Sequence, residues 1–123
     1  MIAPVLGCRD VRLVAEWFRD VLGFDLDGAR VFTLDPGEGP SYAIVERDGM
    51  EVHLQIRSVP EAPRDPNAYD SYARVPDAAA LLEEFLGRSV VVVQPLETQP
   101  YGMLDFSVRS PEGHVLMFGS PAV

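Results

Sequence analysis

The sequence predicts an α+β fold built from two βαβββ modules, and three observations carry that prediction. Asp10 opens the stretch DVRLVAEWFRDVLG and Asp77 opens DAAALLEEFLG, with the same interval from Asp10 to Phe18 as from Asp77 to Phe85. A β-like run precedes each stretch, at residues 5–8 and 71–75. Later in each half an acidic-Gly pair, Asp48-Gly49 or Glu112-Gly113, leads into a further strand-like run, at 51–56 or 115–118. A duplicated unit that leaves one apolar sheet face open has to bury it against something, so the copies are expected to pack together and enclose a space.

Each element has a local cause. Asp10 is placed to cap the free N–H groups of a first helix, and Gly23 to end it in the left-handed conformation. Between them Val11, Val14, Phe18, Val21 and Leu22 recur at helical spacing, and Trp17 widens the stripe as a core residue. Residues 24–27 and 31–34 read as two short strands separated by a Gly-containing turn. Residues 42–47 and 51–57 flank Asp48-Gly49, a strong hairpin signal. Residues 58–67 hold Pro60, Pro63 and Pro66 and read as a linker. The second helix repeats the design of the first, with Asp77 as cap, Leu81, Leu82, Phe85 and Leu86 as stripe, and Gly87 as stop. The β-branched run at 89–93 suits a strand buried on both faces. Residues 103–109 and 115–118 then form a last hairpin across Ser110-Pro111-Glu112-Gly113. The expected organisation is one domain over 1–123, with module 1 at 1–57, the linker at 58–67 and module 2 at 68–123.

Alternation assigns the strand faces. Val52, Leu54 and Ile56 alternate with Glu51, His53 and Gln55, and Leu104, Phe106 and Val108 alternate with Asp105, Ser107 and Arg109. The apolar sets face the helices, and the other sheet face is polar. That polar face is either simply solvated or curled around a shared cleft.

Composition narrows the function. The chain carries 10 basic and 19 acidic residues for a net charge of −9, which disfavours a nucleic-acid partner and modestly favours a cationic one. No apolar run is long enough to span a membrane and no secretory signal is evident. With a single cysteine, Cys8, these features suit a cytoplasmic protein. Cys8 reads as packing, His114 as an exposed turn residue, and the glycine-rich segment 36–40 as a loop rather than a phosphate cradle.

The runs PVLGCRDVRLVAEWFRDVLGF, DG-MEVHL and QPYGMLDFSVRSPEGHVLMFG resemble the glyoxalase/bleomycin-resistance/dioxygenase superfamily, the vicinal oxygen chelate proteins, over essentially the whole chain. The resemblance implies a cupped mixed sheet made by the two modules, commonly completed by a second subunit as a homodimer. It also places the metal ligands of metal-using members at Ala3, His53, Asp70 and Met117. Ala3 has no ligating atom, and a thioether at Met117 is a poor partner for hard or borderline divalent ions. Only His53 and Asp70 remain as ligands, short of the roughly three that a catalytic centre uses. No metal, no other cofactor and no catalytic residue is therefore expected.

Loss of the ligand set points toward the bleomycin-resistance branch, whose members sequester an antibiotic in a groove between subunits without altering it. The expected ligand is a small molecule, such as a cationic aromatic antibiotic. Tyr101 would stack on it, or else fold back onto the domain. His53, Glu51 and Gln55 would orient it, Asp70 and Asp105 would attract its charge, and Met117, Tyr42 and Phe32 would line the wall. Two alternatives stand beside this reading: a metal-dependent glyoxalase-, lyase- or dioxygenase-type enzyme using His53 and Asp70, and a non-catalytic interaction or sensor module.

Overall fold

A computed structural model describes residues 1–58, 65 and 68–122. The predicted linker at 58–67 therefore lies, apart from Ser58 and Asp65, outside the described residues. The chain divides into two compact units, Met1–Pro66 and Asn67–Val123.

The first unit contains β1 (Val5–Cys8), α1 (Val11–Asp20), β2 (Asp25–Phe32), β3 (Tyr42–Arg47) and β4 (Met50–Ile56). Its strands form a four-stranded mixed sheet in the order β1-β4-β3-β2, with β1 parallel to β4 and the other pairs antiparallel. Asp10 caps α1 by accepting from the Leu13 N–H at 3.0 Å. Gly23, at φ 71°, makes the left-handed exit that the sequence predicts. Val11, Val14, Ala15 and Phe18 are the buried face of α1, which packs on β2, β3 and β4, where Ala43, Val45, Val52 and Leu54 are buried. Phe18 meets Phe24 edge-on with ring centroids 5.1 Å apart. The β3–β4 turn is Asp48-Gly49 with both residues at positive φ, the geometry whose twist matches paired strands.

The second unit repeats this order with β5 (Ser71–Arg74), α2 (Ala78–Leu86), β6 (Val91–Thr98), β7 (Met103–Arg109) and β8 (Val115–Pro121). Its sheet has the matching order β5-β8-β7-β6, again with one parallel pair, β5 with β8. Asp77 caps α2 through the Ala80 N–H at 3.0 Å. A second donor at this end, the Ala78 N–H, is satisfied by the buried hydroxyl of Ser120. The core centres on Phe85, which meets Phe106 and Phe118 edge-on at 6.0 and 5.5 Å, while Phe106 and Phe118 stack at 5.6 Å.

Several elements differ from expectation, each for a local reason. The two short strands expected at 24–27 and 31–34 are one strand, β2. The Asp27 carboxylate accepts from the Ala29 N–H at 2.9 Å, so the Gly28 region forms an irregularity within the strand rather than a turn between two. Gly87 caps α2 in a right-handed conformation, φ −66°, and the positive φ of 61° falls two residues later on Ser89. The run at 89–93 begins its strand only at Val91. That strand is a half-exposed edge rather than a strand buried on both faces, which is also where Pro95, lacking an N–H, is tolerated. Ile56 and Leu86 end their apolar patterns exposed, at 42% and 55%.

Candidate functional site

In the first unit, strand register gathers polar side chains on the sheet face away from α1. Val5, Ile44 and His53 are neighbours across β1, β4 and β3, and Tyr42 pairs with Gln55 one step along. The Tyr42 hydroxyl and His53 Nδ1 share a 2.6 Å hydrogen bond, their rings meeting edge-on at 5.5 Å. The other ring nitrogen of His53 lies 3.5 Å from a Glu51 carboxylate oxygen. The same oxygen is held by the guanidinium of Arg30 from β2. Phe32 stands beside Tyr42 at the β2–β3 pair, half exposed. His53, Glu51 and Tyr42 are thus brought together, with Gln55 and Phe32 flanking them.

The second unit builds a tighter constellation around one carboxylate. Asp105, in the middle of β7, is fully buried. Its Oδ1 accepts from the side-chain amides of Gln94 at 2.8 Å and Gln99 at 3.0 Å. Its Oδ2 accepts from the hydroxyls of Tyr101 at 2.5 Å and Tyr72 at 3.0 Å. A buried carboxylate is costly unless its lone pairs are filled, and these four donors fill them. Burial alone would raise the Asp105 carboxyl. The hydrogen bonds from Tyr101, Gln94, Gln99 and Tyr72 outweigh that and hold it below the usual carboxylate range. The phenols respond in the opposite sense. Tyr101 is raised above its ordinary value mainly by its hydrogen bond to Asp105, and Tyr72 by desolvation and then by the same carboxylate.

Gly119 makes the Tyr72 contact possible. It pairs with Asp105 across β7 and β8, and a Cβ there would sit 2.1 Å from the Tyr72 hydroxyl. Despite the tether, the rings of Tyr101 and Tyr72 stay open to solvent, at 58% and 39% exposure.

Other expected site residues have different surroundings. Asp70 accepts from the Val115 N–H at 2.8 Å, fastening the start of β5 to β8. Met117 is buried, directly across from Ser107. His114, expected at the surface, is 2% exposed. Its Nδ1 lies 2.7 Å from the Ser110 hydroxyl oxygen, which also accepts from the His114 and Glu112 N–H groups and so locks the β7–β8 turn. Sequence reasoning missed Tyr72, Gln94, Gln99 and Gly119. The available signals were Tyr72 sharing a strand face with Asp70, and a glycine inside a strand, which often marks a close approach.

The metal-ligand positions implied by the resemblance do not fit a metal centre. Ala3 offers no donor, Met117 offers a buried thioether, and one oxygen of Asp70 is committed to the Val115 N–H. Among the described residues no three His, Cys, Asp or Glu side chains form a group able to hold a metal ion. A separate cleft of about 380 Å³ in the first unit, lined by Arg9, Arg12, Glu38 and Pro40 among others, contains none of the expected site residues.

Over residues 2–118 the sequence matches the profile of the Glyoxalase/Bleomycin resistance protein/Dioxygenase superfamily. The chain belongs to this superfamily. Among solved structures, TioX from Micromonospora sp. ML1 is similar at 20% identity and a TM-score of 0.72, covering 98% of this chain and 99% of that one. A glyoxalase-related enzyme from Clostridium phytofermentans is similar at 17% identity and a TM-score of 0.78, covering 98% and 93%. At these identities the likeness speaks for the fold. No curated protein matches the sequence. The βαβββ duplication accounts for two sheets of matching strand order, while the Asp105 constellation is read from this chain's own residues. No helix among the described residues is long and apolar enough to cross a membrane.

Proposed function

We propose that this superfamily member captures a small, flat, positively charged molecule without transforming it, in the manner of the bleomycin-resistance branch, and does so as a homodimer. The observation that carries the reading is Tyr101, whose half-exposed ring is tethered through its hydroxyl to the buried Asp105 carboxylate. A ring held this way loses little freedom when a flat partner stacks on it, so more of the contact energy appears as affinity. Tyr72 offers a second ring tethered to the same carboxylate. The net charge of −9 favours approach of a cation. The donor chemistry at Ala3 and Met117 argues against a metal-assisted reaction at the superfamily's usual position. In this reading Asp70 and Asp105, in the same unit as Tyr101 and Tyr72, contribute charge.

Thermal unfolding against a panel of planar aromatic cations, with and without a chelator, tests the reading. The expected result is stabilisation that saturates with ligand and ignores the chelator, about 2.7 kcal/mol at a hundredfold excess over Kd. Stabilisation by no planar cation, or turnover that disappears on chelation and returns with added metal, would refute it. Sedimentation should give a mass twice that of the 13.5 kDa chain.

A further inference from the structure

The hydrogen-bond polarity around Asp105 specifies more than a flat cation. A tyrosine hydroxyl has one proton to donate, and both Tyr72 and Tyr101 direct theirs at Asp105 Oδ2. What remains on each phenol oxygen is lone pairs. The two oxygens converge on a single carboxylate oxygen, so they lie near one another beside a fully buried negative charge. The amides of Gln94 and Gln99 close off the opposite carboxylate oxygen, which fixes the direction of the whole set. A phenol oxygen whose proton is engaged by an anion is a better acceptor than a free one, because hydrogen bonds in a chain polarise one another.

We propose that Tyr72 and Tyr101 form an acceptor-only binding site for a cationic N–H group, an amidinium, guanidinium or primary ammonium, and that Asp105 is the positioning residue that sets this polarity. This rests on the capture function proposed above and narrows it. A ligand with a charged N–H group donates to the two phenol oxygens and lies against the exposed rings, where a cation is further attracted. A quaternary ammonium brings the charge without the donors, and a carboxylate meets lone pairs and a buried anion. The site therefore ranks ligands by donor count and not by charge alone.

The test uses four probes of one shape: benzamidine, benzamide, phenyltrimethylammonium and benzoate. Binding to the 123-residue chain is followed by NMR through the side-chain amides of Gln94 and Gln99. Benzamidinium is expected to shift these signals saturably, phenyltrimethylammonium to bind at least about tenfold more weakly, and benzoate not to bind. Tyr101→Phe, a change at an exposed residue that keeps the ring, removes the tether for both cations but an acceptor only for one, so it should weaken benzamidinium by a clearly larger factor than phenyltrimethylammonium. Asp105→Asn should narrow the gap between the two cations, and Tyr101→Phe supplies the same readout if that variant fails to fold. Equal binding of the two cations, binding of benzoate, or indifference to Tyr101→Phe would overturn the inference while leaving capture of flat cations standing. If no planar cation binds anywhere on the chain, both readings fall together.

Discussion

Replacing Gly119 by alanine tests the central geometric claim, that an absent side chain admits the Tyr72 hydroxyl to Asp105. The new Cβ would stand 2.1 Å from that hydroxyl, 2.8 Å from Tyr72 Cζ and 3.1 Å from Asp105 Cβ. Contacts this short require movement, and Tyr72 is the group able to move. It lies on β5, an edge strand, and is 39% exposed. Swinging it away removes one of four donors to a buried carboxylate, at about 1.5 kcal/mol, the low end for a hydrogen bond to a charged group, because three donors remain. Restricting the unfolded chain returns roughly 0.5 kcal/mol on replacing glycine by alanine, for a net loss of about 1 kcal/mol. For a chain of this size that lowers Tm by about 4 °C. Tyr72→Phe removes the same bond without crowding and should cost about 1.5 kcal/mol. The informative quantity is the double variant, measured by denaturant unfolding. Since both changes delete one interaction, the double variant should lose about 1 kcal/mol, no more than Gly119→Ala alone, with a coupling of roughly 1.5 kcal/mol. Losses that simply add, or a Gly119→Ala variant more stable than the parent, would show that Tyr72 does not depend on the space over Gly119.

Three further outcomes follow from the same geometry. Because the Asp105 carboxyl is held below its ordinary value of 3.8, its contribution to stability is present above that pH and is lost as pH falls through the folded value. The parent protein should lose stability there, and an Asp105→Asn variant should lack this acid limb in a Tm-against-pH series. The raised phenols act at the other extreme: their contribution is complete below the ordinary value of 10.0 and declines as pH climbs beyond it, so phenolate absorbance should show Tyr72 and Tyr101 titrating late. Ser110→Ala leaves the buried Nδ1 of His114 and two turn N–H groups without that oxygen, and is expected to cost about 1–3 kcal/mol in denaturant unfolding.

The sequence makes legible those elements whose causes are local. Asp10 and Asp77 announce their helices because a carboxylate at that position satisfies free N–H groups whatever surrounds it. Asp48-Gly49 announces its hairpin because both residues tolerate positive φ. The failures come where distant residues decide. Period-two alternation puts Asp105 on the polar side of β7 but says nothing of Gln94, Gln99 and Tyr72 arriving from other segments, so a residue read as charged and available is buried and saturated. His114 looks like an exposed turn residue until the Ser110 hydroxyl gives its ring nitrogen a partner. The strand expected at 89–93 is present from Val91, but the burial expected of it fails because β-branching reports a pleated environment, and only sheet order shows that β6 is an edge.

Register also shows how the duplicated units diverged. Counting from the turn glycines Gly49 and Gly113, Gln55 and Gly119 fall at the same step, and their cross-strand partners are Tyr42 and Asp105. By the same count His53 corresponds to Met117, and through the parallel pairs Val5 corresponds to Tyr72. One backbone plan thus carries a phenol joined to an imidazole in the first unit and a carboxylate gripped by two phenols in the second. The exchange of Gln55 for Gly119 is the step that separates them. A glutamine at the second position would fill the space above Asp105 that the Tyr72 hydroxyl now occupies, and a glycine at the first would face a valine with nothing to donate. The acceptor site therefore depends on the joint presence of Tyr72, Asp105 and Gly119. A Tyr72→Val change, which installs the first unit's residue in the second, should narrow the preference for N–H cations as Asp105→Asn does, leaving Tyr101 as the one phenol acceptor.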